Sequence, residues 1–392
     1  MLNTPFSPWP SFTREEANAV SRVLLSNKVN YWTGNECREF EKEFAAWADC
    51  KYAIALGNGT LALDLALKAL GVGEGDEVIT TPRTFLASAS SVVTSGASPV
   101  FADVDLNSQV ITAESIQAVL TPKTKAVIVV HLAGMPAEMD AIMALSQQHG
   151  FYVIEDCAQA HGAKYKGRSV GTIGHIGAWS FCQDKIMTTG GEGGMVTTND
   201  KALWSTMWSY KDHGKSFDAI YNREHPPGFR WLHESFGTNW RMTELQAVIG
   251  RIQLARMPAW TAQRQANAAQ IDEAVADLSV VRRVEVPEYS EHAEYKHYLF
   301  VEPESLADGW TRDRIVEAIV ERGVPAYQGS CSEVYLEKAF DNTPWRPNKR
   351  LENAVRLGET SLMFLVHPTL TEQEMLKTID VLRQVLSEAQ RC

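Results

Sequence analysis

The amino-acid sequence predicts an α/β fold, in which a large domain holds a mostly parallel seven-stranded sheet between helices and a smaller C-terminal domain is α+β. Short apolar, β-branched runs alternate with segments of helical period between residues 52 and 200, as in parallel sheets covered on both faces. The length of 392 residues exceeds what one hydrophobic core usually organises. Two domains are therefore expected, residues 1–255 and 256–392.

The individual elements follow from local patterns. Residues 204–239 are rich in Trp, His, Gly and Pro, which is too irregular for a long helix and too aromatic for a disordered linker, so an ordered loop is expected. Helical period marks residues 61–70, 243–255 and 260–278. The strand candidates are residues 52–56, 77–81, 99–104, 125–131, 151–156, 178–181 and 194–198.

Charge and cysteine content exclude several classes of function. The formal net charge of -11 argues against nucleic acid or an anionic membrane as a partner, since both need concentrated positive charge. The six cysteines form no CxxC pair and no metal or disulfide spacing, so reduced thiols and no metal site are expected. No signal-peptide pattern opens the chain and no apolar run approaches the ~20 residues that span a bilayer, so we expect a cytoplasmic protein.

A glycine turn follows the first predicted strand. Gly57-Asn58-Gly59-Thr60 opens a predicted helix, so free backbone N–H groups and the positive end of the helix dipole would point at one spot. Two interpretations fit this pattern. The turn either binds a phosphate, or it is a tight turn in which Asn58 or Thr60 only caps the helix.

A carboxylate stands at the end of the apolar strand 151–156. An ionised Asp156 there needs a cation or several donors, and a protonated pyridine nitrogen is a suitable cation. Alternatively, Asp156 caps the next helix, and the two interpretations carry equal weight. Gln159 could donate to the ring hydroxyl of the same cofactor and His161 could face the substrate, or either could be a satisfied polar neighbour.

One lysine lies between a small apolar strand and a glycine loop. Lys185 ends the segment Ser180-Phe181-Cys182-Gln183-Asp184-Lys185, and the glycines of residues 190–194 follow. Desolvation there would favour the neutral, nucleophilic amine that an aldehyde cofactor needs for a Schiff base. Most lysines are solvated, so this pattern gains its meaning from the other segments.

Two further segments contain candidate ligand contacts. Phe85, after the strand 77–81, either stacks on a planar cofactor or belongs to the core, and Arg83 is expected to be solvated. Asn239 and Arg241 precede a helix that Thr243 caps. They either reach an anion or are a turn residue and a surface cation.

Taken together, these segments resemble the DegT/DnrJ/EryC1/StrS family of sugar aminotransferases, which are pyridoxal-phosphate (PLP) enzymes of fold type I. The resemblance covers nearly the whole chain, from Trp32-Thr33-Gly34 and Glu39-Phe40-Glu41, through the motifs above in the family's order, to Pro368-Thr369-Leu370-Thr371-Glu372. Two departures concern the substrate more than the chemistry. Gly34-Asn35 replaces a common Gly-Pro, and Ser330-Cys331-Ser332-Glu333 does not identify a sugar.

Carried over residue by residue, the resemblance implies that Lys185 forms the Schiff base with PLP and Asp156 pairs with the pyridine nitrogen. It further implies a homodimer, in which Asn239 reaches the phosphate from the neighbouring subunit. Position alone assigns Arg241 to an anion, and His161 and Tyr327 to the vicinity of the sugar. The remaining implied cofactor contacts are Gln159 to the ring hydroxyl, Phe85 to the ring face, and Gly59, Thr60 and Ser180 to the phosphate.

The implied reaction is ping-pong transfer of an amino group from L-glutamate to a nucleotide-linked keto-sugar, with pyridoxamine phosphate as the second form of the cofactor. A 4-keto-6-deoxy or 3-keto sugar is the expected acceptor. A pyridoxamine-dependent dehydratase is disfavoured, because those family members resemble this chain with histidine in place of Lys185. A cyclitol or other ketone as acceptor, and a catalytically silent binding or regulatory protein, remain the alternatives.

Overall fold

The computed structural model describes residues 5–225, 227–228 and 230–391. The helices are α1 (Arg14–Leu25), α2 (Glu36–Ala48), α3 (Gly59–Ala69), α4 (Ala87–Thr94), α5 (Ala113–Val119), α6 (Met139–His149), α7 (Lys201–Tyr210), α8 (Phe217–Tyr221), α9 (Glu244–Ala274), α10 (Arg312–Glu321), α11 (Glu352–Thr360) and α12 (Glu372–Ala389). The strands are β1 (Tyr52–Leu56), β2 (Glu77–Thr80), β3 (Ser98–Phe101), β4 (Thr124–Val130), β5 (Tyr152–Asp156), β6 (Lys164–Tyr165), β7 (Arg168–Ser169), β8 (Ile176–Ser180), β9 (Gly194–Thr198), β10 (Val281–Arg283), β11 (Ser290–Glu291), β12 (His297–Val301), β13 (Ala326–Tyr327) and β14 (Ser361–Phe364).

The predicted seven-stranded sheet is confirmed, with strands in the order β1-β9-β8-β5-β4-β2-β3. Strand β9 is antiparallel to both its neighbours and the other pairs are parallel. Successive residues of β1 join different cores, Ile54 and Leu56 on one face, Ala53 and Ala55 on the other. Helices therefore cover both faces, and the carboxyl ends of six strands meet at one edge, where ligands bind in such sheets.

The C-terminal part is a second unit with its own core. Its antiparallel sheet has the order β10-β12-β14-β13. Residues of α10 and α12, among them Ile315, Leu382 and Leu386, pack against Leu299 and Phe364 of this sheet. The described N-terminal residues also join this unit, since Phe6 packs on its core and the Thr369 hydroxyl donates to the Pro8 carbonyl at 2.9 Å. The division at residue 255 stays a prediction.

Helix α9 corrects the prediction of two helices separated near residue 258. It is a single helix of 31 residues with Pro258 in its interior. A proline there removes one backbone hydrogen bond and costs about 3 kcal/mol. Burial of Leu254 and Met257 before the proline, and of Ile271 after it, offsets this cost. Despite its length, neither α9 nor any other described helix is apolar enough to cross a membrane.

The predicted loop 204–239 is partly wrong, because the structure places most of α7 and all of α8 in it. The Asp200 carboxylate caps α7 by accepting from the N–H groups of Ala202 and Leu203. Aromatic packing also holds α7 against the sheet, since Trp204 stacks on Tyr52 with ring centres 5.0 Å apart. The remainder, where described, is irregular, and residues 226 and 229 lie outside the described residues.

A buried carboxylate ties the chain together beneath the sheet edge. Glu155, in β5, accepts hydrogen bonds from the N–H groups of Gly171, Ile173 and Gly174 at 2.6–2.8 Å, and from His131 Nε2 at 2.9 Å. Burial alone would raise the pKa of Glu155, but His131 and these N–H groups lower it below its ordinary value. Both carboxylate oxygens are therefore occupied.

The same position holds the one group of close metal-ligating atoms found among the described residues, His131, Glu155 and Cys157. His131 accepts at Nδ1 from the Ala137 N–H at 3.1 Å, so Nε2 carries the proton that Glu155 accepts. Burial raises the pKa of the Cys157 thiol well above its ordinary value. Hydrogen bonds and a protonated thiol account for this cluster without an ion.

We expect Glu155→Gln to lower the free energy of unfolding by about 3 kcal/mol, because the amide nitrogen would face backbone donors that lose their acceptor. Urea-induced unfolding, followed by circular dichroism, measures this change. Glu39→Gln is the matched control, since Glu39 pairs with Lys42 at the surface and its loss costs at most about 0.5 kcal/mol. Equal unfolding midpoints for the two variants would contradict the assigned role.

Candidate active site

The glycine turn after β1 forms a cradle for an anion. Asn58 Oδ1 caps α3 by accepting from the Leu61 N–H at 2.9 Å. The N–H groups of Gly59 and Thr60 open the helix and have no partner within it. A β-carbon on Gly59 would lie 2.5 Å from Ser180 Cβ, so only glycine lets the turn approach the end of β8. Two N–H groups and the Ser180 hydroxyl thus lie close together, and their contact with a phosphate stays a prediction.

Asp156 lies at the carboxyl end of β5 and lines the same cavity as the anion cradle. Its carboxylate is buried and accepts from the Ser88 hydroxyl at 2.8 Å and the Ala158 N–H at 3.1 Å. Burial raises the pKa of the carboxyl above its ordinary value, against these two donors and the charge of Lys185. A cation placed in the cavity would relieve this penalty.

Gln159 and Phe85 also line this cavity. Gln159 Oε1 accepts from the Ala133 N–H at 2.8 Å, which leaves the amide nitrogen to donate to a ligand. The Phe85 side chain is 72% exposed, and so offers a ring face to a planar ligand rather than to the core. The core alternative for Phe85 is wrong.

Lys185 stands where two cavities meet. Its backbone is fixed by a hydrogen bond from its N–H to the Cys182 carbonyl at 3.1 Å and by the Trp9 indole, which donates to its carbonyl at 2.8 Å. Its amine is 3.6 Å from an Asp184 oxygen and 5.2 Å from the centre of the Tyr295 ring. The side chain is therefore largely enclosed but reaches open space.

The second cavity is a cleft between the two units. It measures about 600 Å³, against about 570 Å³ for the first, and its walls include Tyr295, Tyr298 and Ser330 from the C-terminal unit. Tyr327 also lines the cleft, and its contact with a sugar stays a prediction. The two cavities share the residues Thr84, Phe85, Gln159, Asp184 and Lys185. A ligand held in the first cavity is therefore exposed to the cleft at Lys185.

The structure does not place His161 at the cleft, contrary to the prediction. Its side chain is fully buried, with ring centres 5.3 Å from Trp179 and 5.6 Å from Phe181. Burial lowers the pKa of His161 to about 3, so the ring is neutral. A polar side chain suggests a ligand contact, but His161 packs against Trp179 of β8 and is therefore a core residue.

Asn239 and Arg241 lie beside the anion cradle but do not line the two cavities. The Gly57 N–H donates to the carbonyl of Trp240 at 3.0 Å, which fixes their segment next to the turn. The Asn239 side chain is exposed, whereas Arg241 pairs with the buried Asp212 at 2.8 Å. Their roles toward an anion in another subunit stay predictions.

Arg83 is fully buried, so the expectation of a solvated side chain is wrong. Its Nε and Nη2 donate to Gln109 Oε1 at 3.2 and 3.0 Å, and its guanidinium lies 5.5 Å from the centre of the Tyr298 ring. No local pattern shows this, because Gln109 is 26 residues away. Ser88, Tyr295 and Lys296, also at the site, were missed for the same reason.

These groups fit PLP. The anion cradle suits its phosphate, Asp156 its pyridinium nitrogen, Gln159 its hydroxyl, Phe85 its ring face and Lys185 its aldehyde. The fit rests on Gly59, whose missing side chain leaves room beside Ser180, and on a buried carboxylate whose charged form is disfavoured by burial.

Comparisons with known proteins agree with this geometry. The DegT/DnrJ/EryC1/StrS aminotransferase family matches residues 10–383. The spore coat polysaccharide biosynthesis protein SpsC of Bacillus subtilis (strain 168) is 34% identical over 382 residues, 97% of this chain and 96% of that protein.

Two solved structures share the fold over nearly their whole length. The aminotransferase from Psychrobacter cryohalolentis has a TM-score of 0.96 at 66% identity, covering 98% of this chain and 100% of its own. DesV of S. venezuelae, solved in complex with a ketimine intermediate, has a TM-score of 0.86 at 30% identity, covering 98% and 99%. The chain therefore belongs to the DegT/DnrJ/EryC1/StrS family and is a PLP-dependent aminotransferase of fold type I.

Proposed function

We propose that this enzyme transfers an amino group from L-glutamate to a 4-keto-6-deoxy or 3-keto sugar carried on a nucleoside diphosphate, in the cytoplasm. The cleft that opens at Lys185 is the observation that carries the proposal. Its volume of about 600 Å³ suits a ligand larger than an amino acid, and the exposed Tyr327 side chain offers the ring face and hydroxyl that sugars contact.

Each residue of the site has a role in this proposal. Bound PLP supplies an electron sink, which weakens the bond to the donor's α-hydrogen. Lys185 would hold the aldehyde group of PLP, and its amine would act as the base and acid that carries the proton removed from the donor's α-carbon. The Asp156 carboxylate would keep the pyridine nitrogen protonated, and Gln159 and Phe85 would fix the plane of the ring, so that Lys185 meets the donor's α-carbon from one face.

Asp184 and Tyr295 position the amine of Lys185 for this proton transfer. The Tyr295 hydroxyl donates to Asp184, whose other oxygen faces the Lys185 amine at 3.6 Å. Burial would raise the pKa of Asp184, but the charge of Lys185 and the Tyr295 hydroxyl lower it below its ordinary value. Asp184 therefore stays ionised and supports the lysine whenever its amine carries a proton.

The spectrum of the purified protein with added PLP tests the proposal. We expect a visible band from the cofactor bound to Lys185, its conversion by glutamate to a band at shorter wavelength, and its restoration by one nucleotide keto-sugar of a panel. Lys185→Ala should abolish both changes. Restoration by a cyclic polyol ketone alone would favour the cyclitol alternative, and a protein without the visible band would favour a catalytically silent member.

Asp156→Asn should lower the rate of both half-reactions by at least about 100-fold, because a neutral amide does not keep the pyridine nitrogen protonated. The same change should not lower the stability of the cofactor-free protein, since burial disfavours the charged carboxylate that it removes. Stopped-flow absorbance and thermal unfolding measure the two effects. A variant with normal rates would contradict the role of Asp156.

We also propose that two copies share their active sites. Asn239 is exposed next to the anion cradle, and the same segment carries Trp231 and Phe236, which are 86% and 99% exposed. Apolar rings so exposed are typical of an interface that a second copy covers.

Mixing two inactive variants tests the shared site. Lys185→Ala and Asn239→Ala are each expected to have little activity, but a mixed dimer would contain one site with both functional residues. Random mixing should therefore restore up to about a quarter of the activity per protomer, because half the dimers are mixed and each has one intact site of two. If subunit exchange is verified and no activity is recovered, the assignment of Asn239 is contradicted.

A further inference from the structure

The cleft carries a cation that the proposed reaction does not use. Of the described residues along the two cavities, Lys185 and Lys296 are the ones with cationic side chains. Lys185 acts at the reacting atoms, whereas Lys296 lines the cleft only. Lys296 immediately precedes β12 in the C-terminal unit, so its backbone is fixed by the second sheet.

No carboxylate among the described residues pairs with Lys296 within 4.0 Å. Asp184 is engaged by Lys185 and by the Tyr295 hydroxyl, and the other acid on the cleft, Glu337, is exposed. Behind Lys296, the buried Arg264 donates only to backbone carbonyls, those of Glu294 and Tyr295, at 3.4 and 3.3 Å. In a chain with a net charge of -11, this part of the cleft is locally positive.

Lys296 lies within reach of a substrate bound at Lys185. The amine of Lys185 is 5.2 Å from the centre of the Tyr295 ring and that of Lys296 is 5.1 Å from it, so the two nitrogens are at most about 10 Å apart. An amino acid attached at the reacting position can therefore extend a carboxylate toward Lys296.

We propose that Lys296 binds a carboxylate of the amino donor. The inference rests on the proposed function, in which glutamate brings two carboxylates into a cleft where this chain supplies one uncommitted cation. A charge-assisted hydrogen bond from the ammonium would orient the donor and neutralise its charge. Lys296 is thus assigned to donor specificity, in a segment for which the sequence indicated no ligand contact.

The surroundings of Lys296 make this contact dependent on pH. Burial and the charge of Arg264 lower the pKa of Lys296 to about 8, while Asp184 opposes them and Lys185 adds to them. The ammonium is therefore present below pH 8 and is lost as the pH rises above it, which weakens carboxylate binding in that range. A bound carboxylate shifts the same equilibrium back toward the charged form.

The test compares Lys296→Met, which keeps the length of the side chain, with Lys296→Arg, which keeps the charge. We expect Lys296→Met to raise the KM for glutamate in the first half-reaction by about 10- to 100-fold, the value of one charged hydrogen bond. Its visible band and its rate with the keto-sugar in the second half-reaction should stay as in the native enzyme. Lys296→Arg should bind glutamate equally well at pH 7 and pH 9, whereas binding by the native enzyme should weaken over this range.

Lys166→Met is the matched control, since Lys166 also lies over a tyrosine ring, 5.2 Å from the centre of Tyr165, but at the surface and paired with Asp140. Thermal unfolding confirms that the variants are folded. Calorimetric titration with glutarate, an amine-free analogue, gives a readout without turnover. Glutarate binding that is weaker in Lys296→Met but unchanged in Lys166→Met supports the inference, whether or not glutamate proves to be the donor.

Two outcomes overturn the inference. An unchanged KM for glutamate together with unchanged glutarate binding would show that the donor does not contact Lys296. A loss confined to the second half-reaction would assign Lys296 to an anionic group of the acceptor instead. A native enzyme whose band is indifferent to glutamate but whose glutarate binding depends on Lys296 would contradict the proposed donor and not the contact.

Discussion

Two adjacent carboxylates at the end of β5 set the constraint on which the site depends. Successive residues of a strand point to opposite faces, so Glu155 and Asp156 enter different surroundings. Glu155 meets three backbone N–H groups and a histidine, and its charge is satisfied by the protein. Asp156 meets two donors in a buried cavity, and its charged form is disfavoured until a cation arrives. The charge of the first carboxylate is satisfied within the fold, and the second is the one that suits the pyridinium nitrogen of the cofactor.

The parallel sheet explains why the cofactor groups meet. The anion cradle follows β1, Phe85 follows β2, Gln159 follows β5 and Lys185 follows β8, although they span more than a hundred residues of the chain. Because these strands run in the same direction, their following turns lie at one edge. The strand order then sets the spacing between these turns. The close approach of Gly59 to Ser180 places the turn after β1 against the end of β8.

The C-terminal unit adds what the sheet edge cannot supply. It brings tyrosines and Lys296 over the opening of the cofactor cavity, and the helix α9 joins both units without a break. The proposed substrate contacts therefore lie on a second framework, separate from the strand ends that carry the cofactor groups. Because the cofactor groups and the proposed substrate contacts lie on different frameworks, the sequence motifs indicate the chemistry but do not identify the substrate.

The sequence by itself determined the seven strands of the large sheet, the fold class and the family. It also predicts that Gly59, Asp156, Gln159 and Lys185 hold the cofactor, because each lies in a short motif at the end of an apolar run. Only the tertiary structure decided the rest. It placed His161 in the core, buried Arg83 against Gln109, continued α9 through Pro258 and brought Tyr295 and Lys296 to the lysine. These outcomes depend on contacts between residues distant in the chain, and burial that long-range packing creates leaves no local pattern in the sequence.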